Sequence, residues 1–281
     1  MVIFTTPDEW SRLRSALYPA STPIGFVPTM GALHPGHQSL FSRAKSENEV
    51  CVGSIFVNPT QFNQPDDLVN YPRTLQSDIE AAEAAGCDYL FVPSVKTMYG
   101  NHAVAEPISY GLLTDAFEGA MRPGHFDGVI AIVRKLLTAI KPNVLYLGEK
   151  DFQQLAVLRE MVKREAIPVD VRGCTLVRET DGLAMSSRNI RLSASAREVA
   201  LNGIRILREM NESASRLAPD ELIEWGTTRF ATHPSINLEY LAIIDERNFM
   251  PIERFNDANA RILAAFWVDG VRLIDNLRIQ N

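Results

Sequence analysis

His34 and His37 stand three residues apart in the run Met30-Gly31-Ala32-Leu33-His34-Pro35-Gly36-His37. Two imidazoles at that spacing share one face where the chain is helical. Three kinds of chemistry are open to them. They could hold a metal, although no third His, Cys or carboxylate follows at ligand spacing. They could be satisfied structural histidines. Or they could face phosphate, because Gly31 and Gly36 permit close backbone approach. The first amides of a helix have no partner inside it, and they lie at the positive end of its dipole. That dipole disfavours a cationic imidazole by about 0.3–1 kcal/mol, so both rings are expected to rest as neutral N–H donors.

The elements around the pair suit the phosphate reading. Ile24 to Val27 is a short apolar run, expected as a buried strand that breaks at Pro28. From Pro35 the pattern turns helical, with Leu40, Phe41 and Ala44 on one side. Upstream, Thr6-Pro7-Asp8-Glu9 reads as a helix start with a capping box. Downstream, Val50 to Val57 is an almost unbroken apolar run, as in a central strand covered on both faces. A helix is expected over 74–85 with Gly86 as its stop, then a strand over 88–92. Residues 93–124 read as irregular; a helix over 129–140, a strand over 144–147, a helix over 152–164 and a strand over 169–171 follow.

Strands alternating with helices at this spacing predict a Rossmann-like parallel sheet flanked by helices. In such sheets ligands bind beyond the carboxyl ends of the strands. The polar clusters 28–37, 58–61 and 148–151 all leave such ends. After about Val177 the character changes. A polar loop, 178–189, carries an Asp181-Gly182 turn; Ser195 with Glu198 reads as the start of a helix to about Met210, and a second helix starts near Pro219. A strand over 238–244 and a hairpin over 262–277 turning at Asp269-Gly270 complete a smaller α+β domain. The expected division is 1–176 and 177–281.

Bulk properties narrow the function. The 281-residue chain has formal net charge −6 and no Lys/Arg stripe, which argues against a dedicated nucleic-acid binder. Its three cysteines, Cys51, Cys87 and Cys174, are scattered in apolar runs and read as buried hydrophobes of a reducing compartment. No secretory leader is visible, and no apolar run nears the ~20 residues of a membrane span. A cytoplasmic protein without nucleic-acid or membrane partners is expected.

Taken singly, the later clusters are weak. Lys150 and Asp151 could be a surface ion pair, Ser186-Ser187-Arg188 an ordinary polar loop, and Asn58 and Gln61 satisfiers of loop backbone. Jointly they resemble the pantothenate synthetase family of HIGH-type nucleotidyltransferases. The resemblance rests on Pro28 to His37 with its His-Pro-Gly-His, on Ser-Ile-Phe-Val-Asn-Pro-Thr-Gln-Phe at 54–62, and on Tyr71-Pro72-Arg73-Thr74. Arg122-Pro123-Gly124-His125-Phe126, Gly-Glu-Lys-Asp-Phe-Gln-Gln-Leu at 148–155, Met185-Ser186-Ser187-Arg188-Asn189 and Arg272-Leu273-Ile274-Asp275-Asn276 extend it over nearly the whole chain. Thr60 stands where many relatives carry Met, Pro35 fills the variable place of the histidine motif, and the loop before Arg122 is compact.

The resemblance implies ATP-dependent joining of (R)-pantoate to β-alanine through a pantoyl adenylate, with AMP and pyrophosphate released. It implies an ATP site from Met30, Gly31, His34, Gly36, His37, Gly148, Glu149, Lys150, Asp151, Val177, Met185, Ser186, Ser187 and Arg188. Catalytic roles fall on His37, His34, Lys150, Ser186, Ser187 and Arg188; pantoate and β-alanine contacts fall on Gln61 and Gln154, then Asn58, Arg122 and His125. Mg2+ is implied as carried by ATP, with no direct protein ligand. A homodimer, and a C-terminal domain acting as a lid, are also implied. The alternatives are another HIGH-type nucleotidyltransferase acting on a nucleotide or phosphopantetheine, a non-catalytic nucleotide-binding module, and a metal hydrolase.

Overall fold

A computed structural model of the protein describes residues 1–255 and 259–279. The chain divides into two compact units, Met1–Thr175 and Leu176–Asn281.

The first unit is built on a six-stranded sheet: β1 (Val2–Phe4), β2 (Ile24–Thr29), β3 (Val50–Ile55), β4 (Tyr89–Phe91), β5 (Val144–Gly148) and β6 (Asp170–Cys174). The spatial order is β1-β4-β3-β2-β5-β6. Every pairing is parallel. From β2 the chain steps one way to β3 and β4, then returns to place β5 and β6 on the other side. The reversal falls at β2 and β5, which makes the mouth beyond their carboxyl ends the topological switch point. The central strands are buried on both faces, as their apolar runs require. The Pro35–Glu47 helix lays Leu40, Phe41 and Ala44 against this core.

Most elements match the sequence reading. Thr6 caps the Pro7–Leu17 helix in a reciprocal box with Glu9. Three differences have physical causes. β2 does not break at Pro28 but stays in register through Thr29, opposite Ser54 and Ile55. The missing proline N–H ends no strand here, because Thr29 still accepts from the Phe56 amide. The helix expected over 129–140 begins at His125, one polar turn earlier, behind a left-handed Gly124. The segment read as irregular contains three short helices, Val95–Tyr99, Leu112–Asp115 and Glu118–Met121.

In the second unit, β7 (Asn237–Asp245), β8 (Ala260–Val268) and β9 (Val271–Arg278) form an antiparallel sheet in that order. Asp269 and Gly270 both take positive φ, as a two-residue hairpin turn between right-twisted strands demands. The helices Ala194–Ser213 and Pro219–Ala231 bury Leu207, Met210, Leu222 and Phe230 with Phe266 of β8. The first of these helices is capped by Ser193, not begun by Ser195, since the Ser193 hydroxyl accepts from the Ala196 amide. Among the described residues no helix is long and apolar enough to cross a membrane. All three cysteines are buried and free.

Candidate active site

At the end of β2 the chain makes a tight turn, with Gly31 at φ +83 and Ala32 at φ +49. Ala32 holds a strained left-handed conformation because it is fastened from behind. Asp78, 2% exposed, accepts the Ala32 amide at 3.0 Å and the Leu33 amide at 2.7 Å. The Thr74 hydroxyl donates to the same carboxyl group. A side chain at Gly31 would place its Cβ 2.9 Å from Asp78 Oδ2, so the close approach requires glycine.

Asp78 escaped the sequence reading, although it leaves a trace there. It lies four residues before buried Ala82 in the Leu75–Ala84 helix, an acid on the apolar stripe of a surface helix. Its two bonds also narrow one expectation. The amides of Ala32 and Leu33 turn to Asp78, and that of His37 turns to the His34 carbonyl. More of any anion recognition therefore falls to the side chains that follow.

Those are His34 and His37, stacked with ring centroids 4.0 Å apart. The His34 amide donates to His37 Nδ1 at 3.4 Å, which places the proton of a neutral His37 on Nε2. Burial, the second imidazole and the Lys150 ammonium together push His37 down to about 3. At neutral pH it is an uncharged Nε2–H donor. Lys150 leaves the Glu149–Asp151 turn after β5, half-buried, with Asp151 Oδ1 3.9 Å from its Nζ. The switch point thus gathers an imidazole pair and an ammonium whose field reaches it.

On the β3 side, Asn58 and Gln61 bracket the Pro59–Gln61 turn. Gln61 Nε2 lies 2.9 Å from Met30 Sδ, so this turn meets the β2 loop. A thioether is a weak acceptor, and an oxygen ligand would replace it with profit to the amide. Asn58, 1% exposed, donates to Gln61 Oε1 and to the Gly128 carbonyl. His125, also buried, contacts the Gln61 carbonyl through Nδ1 and Arg122 through Nε2. Asn58 and His125 spend these polar atoms on the protein around Gln61. Gln154 is half-buried one residue after Gln153, whose amide is spent on the backbone of residues 113–118.

Val177, Met185, Ser186, Ser187 and Arg188 belong to the second unit. There the chain doubles back through the Asp181-Gly182 turn, with Met185 returning a hydrogen bond to Val177. Ser186 Oγ accepts from the Arg188 amide. Asn189 is buried, donating to Glu179 and to the Ala184 carbonyl. Arg178 grips Asp275 with two parallel bonds of 2.7 and 2.9 Å.

A parallel sheet with a stacked imidazole pair, a lysine and a converging amide at its switch point defines an α/β protein equipped to bind an anionic, phosphate-like ligand beside a polar one. Residues 2–278 match the pantoate-beta-alanine ligase family, and the chain belongs to it. It is 46% identical over 279 residues to a pantothenate synthetase of Bacteroides fragilis, covering 99% of this chain and 98% of that one. The pantothenate synthetase of Thermus thermophilus superposes with a TM-score of 0.93 at 41% identity over 100% of both chains. The pantoate-beta-alanine ligase of Francisella tularensis, solved with beta-gamma ATP and beta-alanine, gives 0.83 at 38% identity, covering 100% of this chain and 98% of that one.

Proposed function

We infer that this protein is an ATP-dependent ligase that joins (R)-pantoate to β-alanine, releasing AMP and pyrophosphate. The observation that carries this reading is the convergence of His34, His37 and Lys150 at the switch point with Gln61 against Met30, in a chain of the pantoate-beta-alanine ligase family.

In the first step the pantoate carboxylate attacks the α-phosphorus of ATP and pyrophosphate leaves. Negative charge gathers on oxygens already crowded with charge, so the work is positioning and stabilisation by N–H and ammonium donors. His37 Nε2–H donates to the leaving phosphate; the incoming triphosphate opposes the influences that keep this ring neutral and draws a proton toward it. Lys150 bridges phosphate oxygens, and His34 stacks behind His37 and shares the contact. Gly31, Gly36, Gly148, Glu149 and Asp151 line the nucleotide, and the assignment of Val177 to it rests on the family resemblance. Gln61 and Gln154 hold pantoate by its hydroxyl and carboxylate oxygens. Ser186, Ser187 and Arg188, with Met185, close on the triphosphate, a role that rests on the family resemblance.

In the second step the amine of β-alanine attacks the mixed anhydride and AMP leaves. No protein nucleophile is needed, and the three cysteines are buried away from such duty. Among the described residues no group of three or more His, Cys, Asp or Glu side chains is placed to hold a metal ion. Mg2+, which the family resemblance implies as carried by ATP, would neutralise the charge of its phosphates. A homodimer rests on the family resemblance, a cytoplasmic location on the three free, buried cysteines, and a lid role for the second unit on the need to keep water from the adenylate.

Pantoate-dependent exchange of labelled pyrophosphate into ATP tests the reading, with β-alanine-dependent AMP release as its second half. Exchange driven by a nucleotide or phosphopantetheine, and none with pantoate, would transfer the chain to another nucleotidyltransferase activity.

A further inference from the structure

The fastening of Gln61 goes beyond substrate contact. Its main-chain carbonyl can only accept, so His125 Nδ1, 2.9 Å away, must carry a proton. Arg122 can only donate, so His125 Nε2, 3.1 Å from its Nη1, must be bare. Both constraints select the same neutral tautomer, and the ring is 6% exposed. Burial, with the Arg122 charge second, pushes His125 down to about 3, so the tautomer persists through neutral pH.

The side-chain end is settled by the same reasoning. The Gly128 carbonyl can only accept, so the atom of Asn58 facing it at 3.0 Å is Nδ2. Asn58 Oδ1 then faces two hydroxyls, Tyr99 at 2.8 Å and Thr60 at 3.1 Å. With its orientation fixed from both sides, Asn58 Nδ2 donates to Gln61 Oε1 at 3.0 Å. That bond turns Gln61 Oε1 toward Asn58 and fixes which end of the amide faces the β2 loop. Nε2 then points the other way, against the weak acceptor Met30 Sδ. Gly128 makes the assembly compact: a Cβ there would stand 2.3 Å from the Thr60 carbonyl oxygen, so only glycine lets the His125–Ile140 helix approach this turn.

We propose that His125 directly, and Tyr99 through Asn58, are positioning residues that clamp Gln61 at both ends and fix its orientation so that Nε2 is presented as a hydrogen-bond donor to an oxygen of the acid substrate. Selection for the acid thus originates in groups that never touch it. This rests on the assignment of Gln61 to the pantoate site.

Two arms test it. In steady-state kinetics, His125→Ala should raise the pantoate KM about tenfold while the ATP KM stays within about twofold. His125→Asn, whose Nδ2–H can stand in for the Nδ1 donor, should recover most of that loss. Tyr99→Phe, which keeps the ring and the fold, should reduce discrimination between pantoate and its analogue lacking the 2-hydroxyl. Equal KM rises for both substrates, no rescue by Asn, or unchanged discrimination in Tyr99→Phe would overturn the clamp. The second arm needs no substrate: 15N NMR of the ligand-free protein should show His125 protonated at Nδ1 and the Gln61 side-chain amide signals displaced by Tyr99→Phe. Wild-type protein without pantoate-dependent exchange would defeat the functional assignment alone. Unmoved Gln61 signals, or an Nε2-protonated His125, would defeat the clamp alone.

Discussion

The two loops assigned to the triphosphate are held by opposite means. The turn from Met30 to His37 is fastened through its backbone: one buried carboxyl group takes two amides, and the ammonium of Lys150 is the full charge whose field bears on its His37. The loop from Arg178 to Asn189 has backbone bonds within itself but is tied to its surroundings through charged side chains. Arg178 pairs with Asp275, while Arg197 reaches both Glu179 and Asp181. A backbone fastening fixes the positions of main chain and Cα atoms, which suits residues that must meet a reaction centre within fractions of an ångström. The ionic fastening at the partly exposed Arg197, Glu179 and Asp181 exchanges with solvent and salt more easily, while the Arg178–Asp275 pair is sheltered at its carboxylate. The first loop is therefore pre-formed, and the second is the adjustable member.

The largest losses are expected at the chemical groups. His37→Ala and Lys150→Ala should each slow adenylation by about 10²–10³, the effect of losing one donor to a developing charge, with little change in Tm. Near-normal single-turnover rates would remove either residue from its role. Next in size is Asp275→Ala, which leaves Arg178 without its two-bond partner. It should destabilise by about 3 kcal/mol, read in urea unfolding, with the pantoate KM unaltered. A loss below about 0.5 kcal/mol would mean that this pair is no stronger than an ordinary surface bridge.

Asp78→Asn sharpens the contrast. An amide keeps the shape but can no longer accept with both ends, so one of the Ala32 and Leu33 amides is orphaned at about 1–3 kcal/mol. The cost should appear as a raised ATP KM that added salt does not change. An unaltered ATP KM would show that the turn holds its form without this brace.

Acid should weaken the fold through two buried histidines. His37 and His125 fold with values near 3, against an ordinary 6.5. Between those limits the unfolded chain binds the extra protons, so stability rises with pH. The contribution is complete above about pH 6.5 and is lost as pH falls toward 3, by at most about 1.4 kcal/mol per histidine per pH unit. Correspondingly, kcat/KM should show no His37 inflection near pH 6.5, since that quantity reports the free enzyme. An acid limb there that disappears in His37→Gln would overturn the neutral-donor assignment.

Much of this could be read from the chain alone because the signals are local. Apolar runs gave β2, β3 and β5 to within two residues, and the Asp269-Gly270 turn declared its hairpin. The imidazole pair, Lys150 and Gln61 were visible as residue types at strand ends. What escaped depends on distance along the chain. Asp78 acts 45 and 46 residues from the amides it holds, and Tyr99 acts 41 residues from Asn58, inside a stretch without clear periodicity. His125 was legible as a pocket residue but not as a support, because its tautomer is set by Arg122 and by a carbonyl 64 residues earlier. The helix start at His125 was missed because left-handed Gly124 precedes it in place of a Ser, Thr or Asp cap.

The strand order carries a consequence for how the protein is made. β2 takes its first neighbour, β3, almost as soon as both are synthesised, but its other neighbour lies far downstream, as the 119-residue span from the Ile24 amide to Asn143 Oδ1 measures. Lys150 lies beyond even that point. A ribosome-bound chain that has emerged only through residue 100 would own both histidines and Gln61, yet not the Lys150 that belongs beside them. Contacts of such long sequence separation close late and slowly. Nucleotide affinity is thus a property the nascent chain gains near the completion of its sheet, and its onset would serve as a clock for that event.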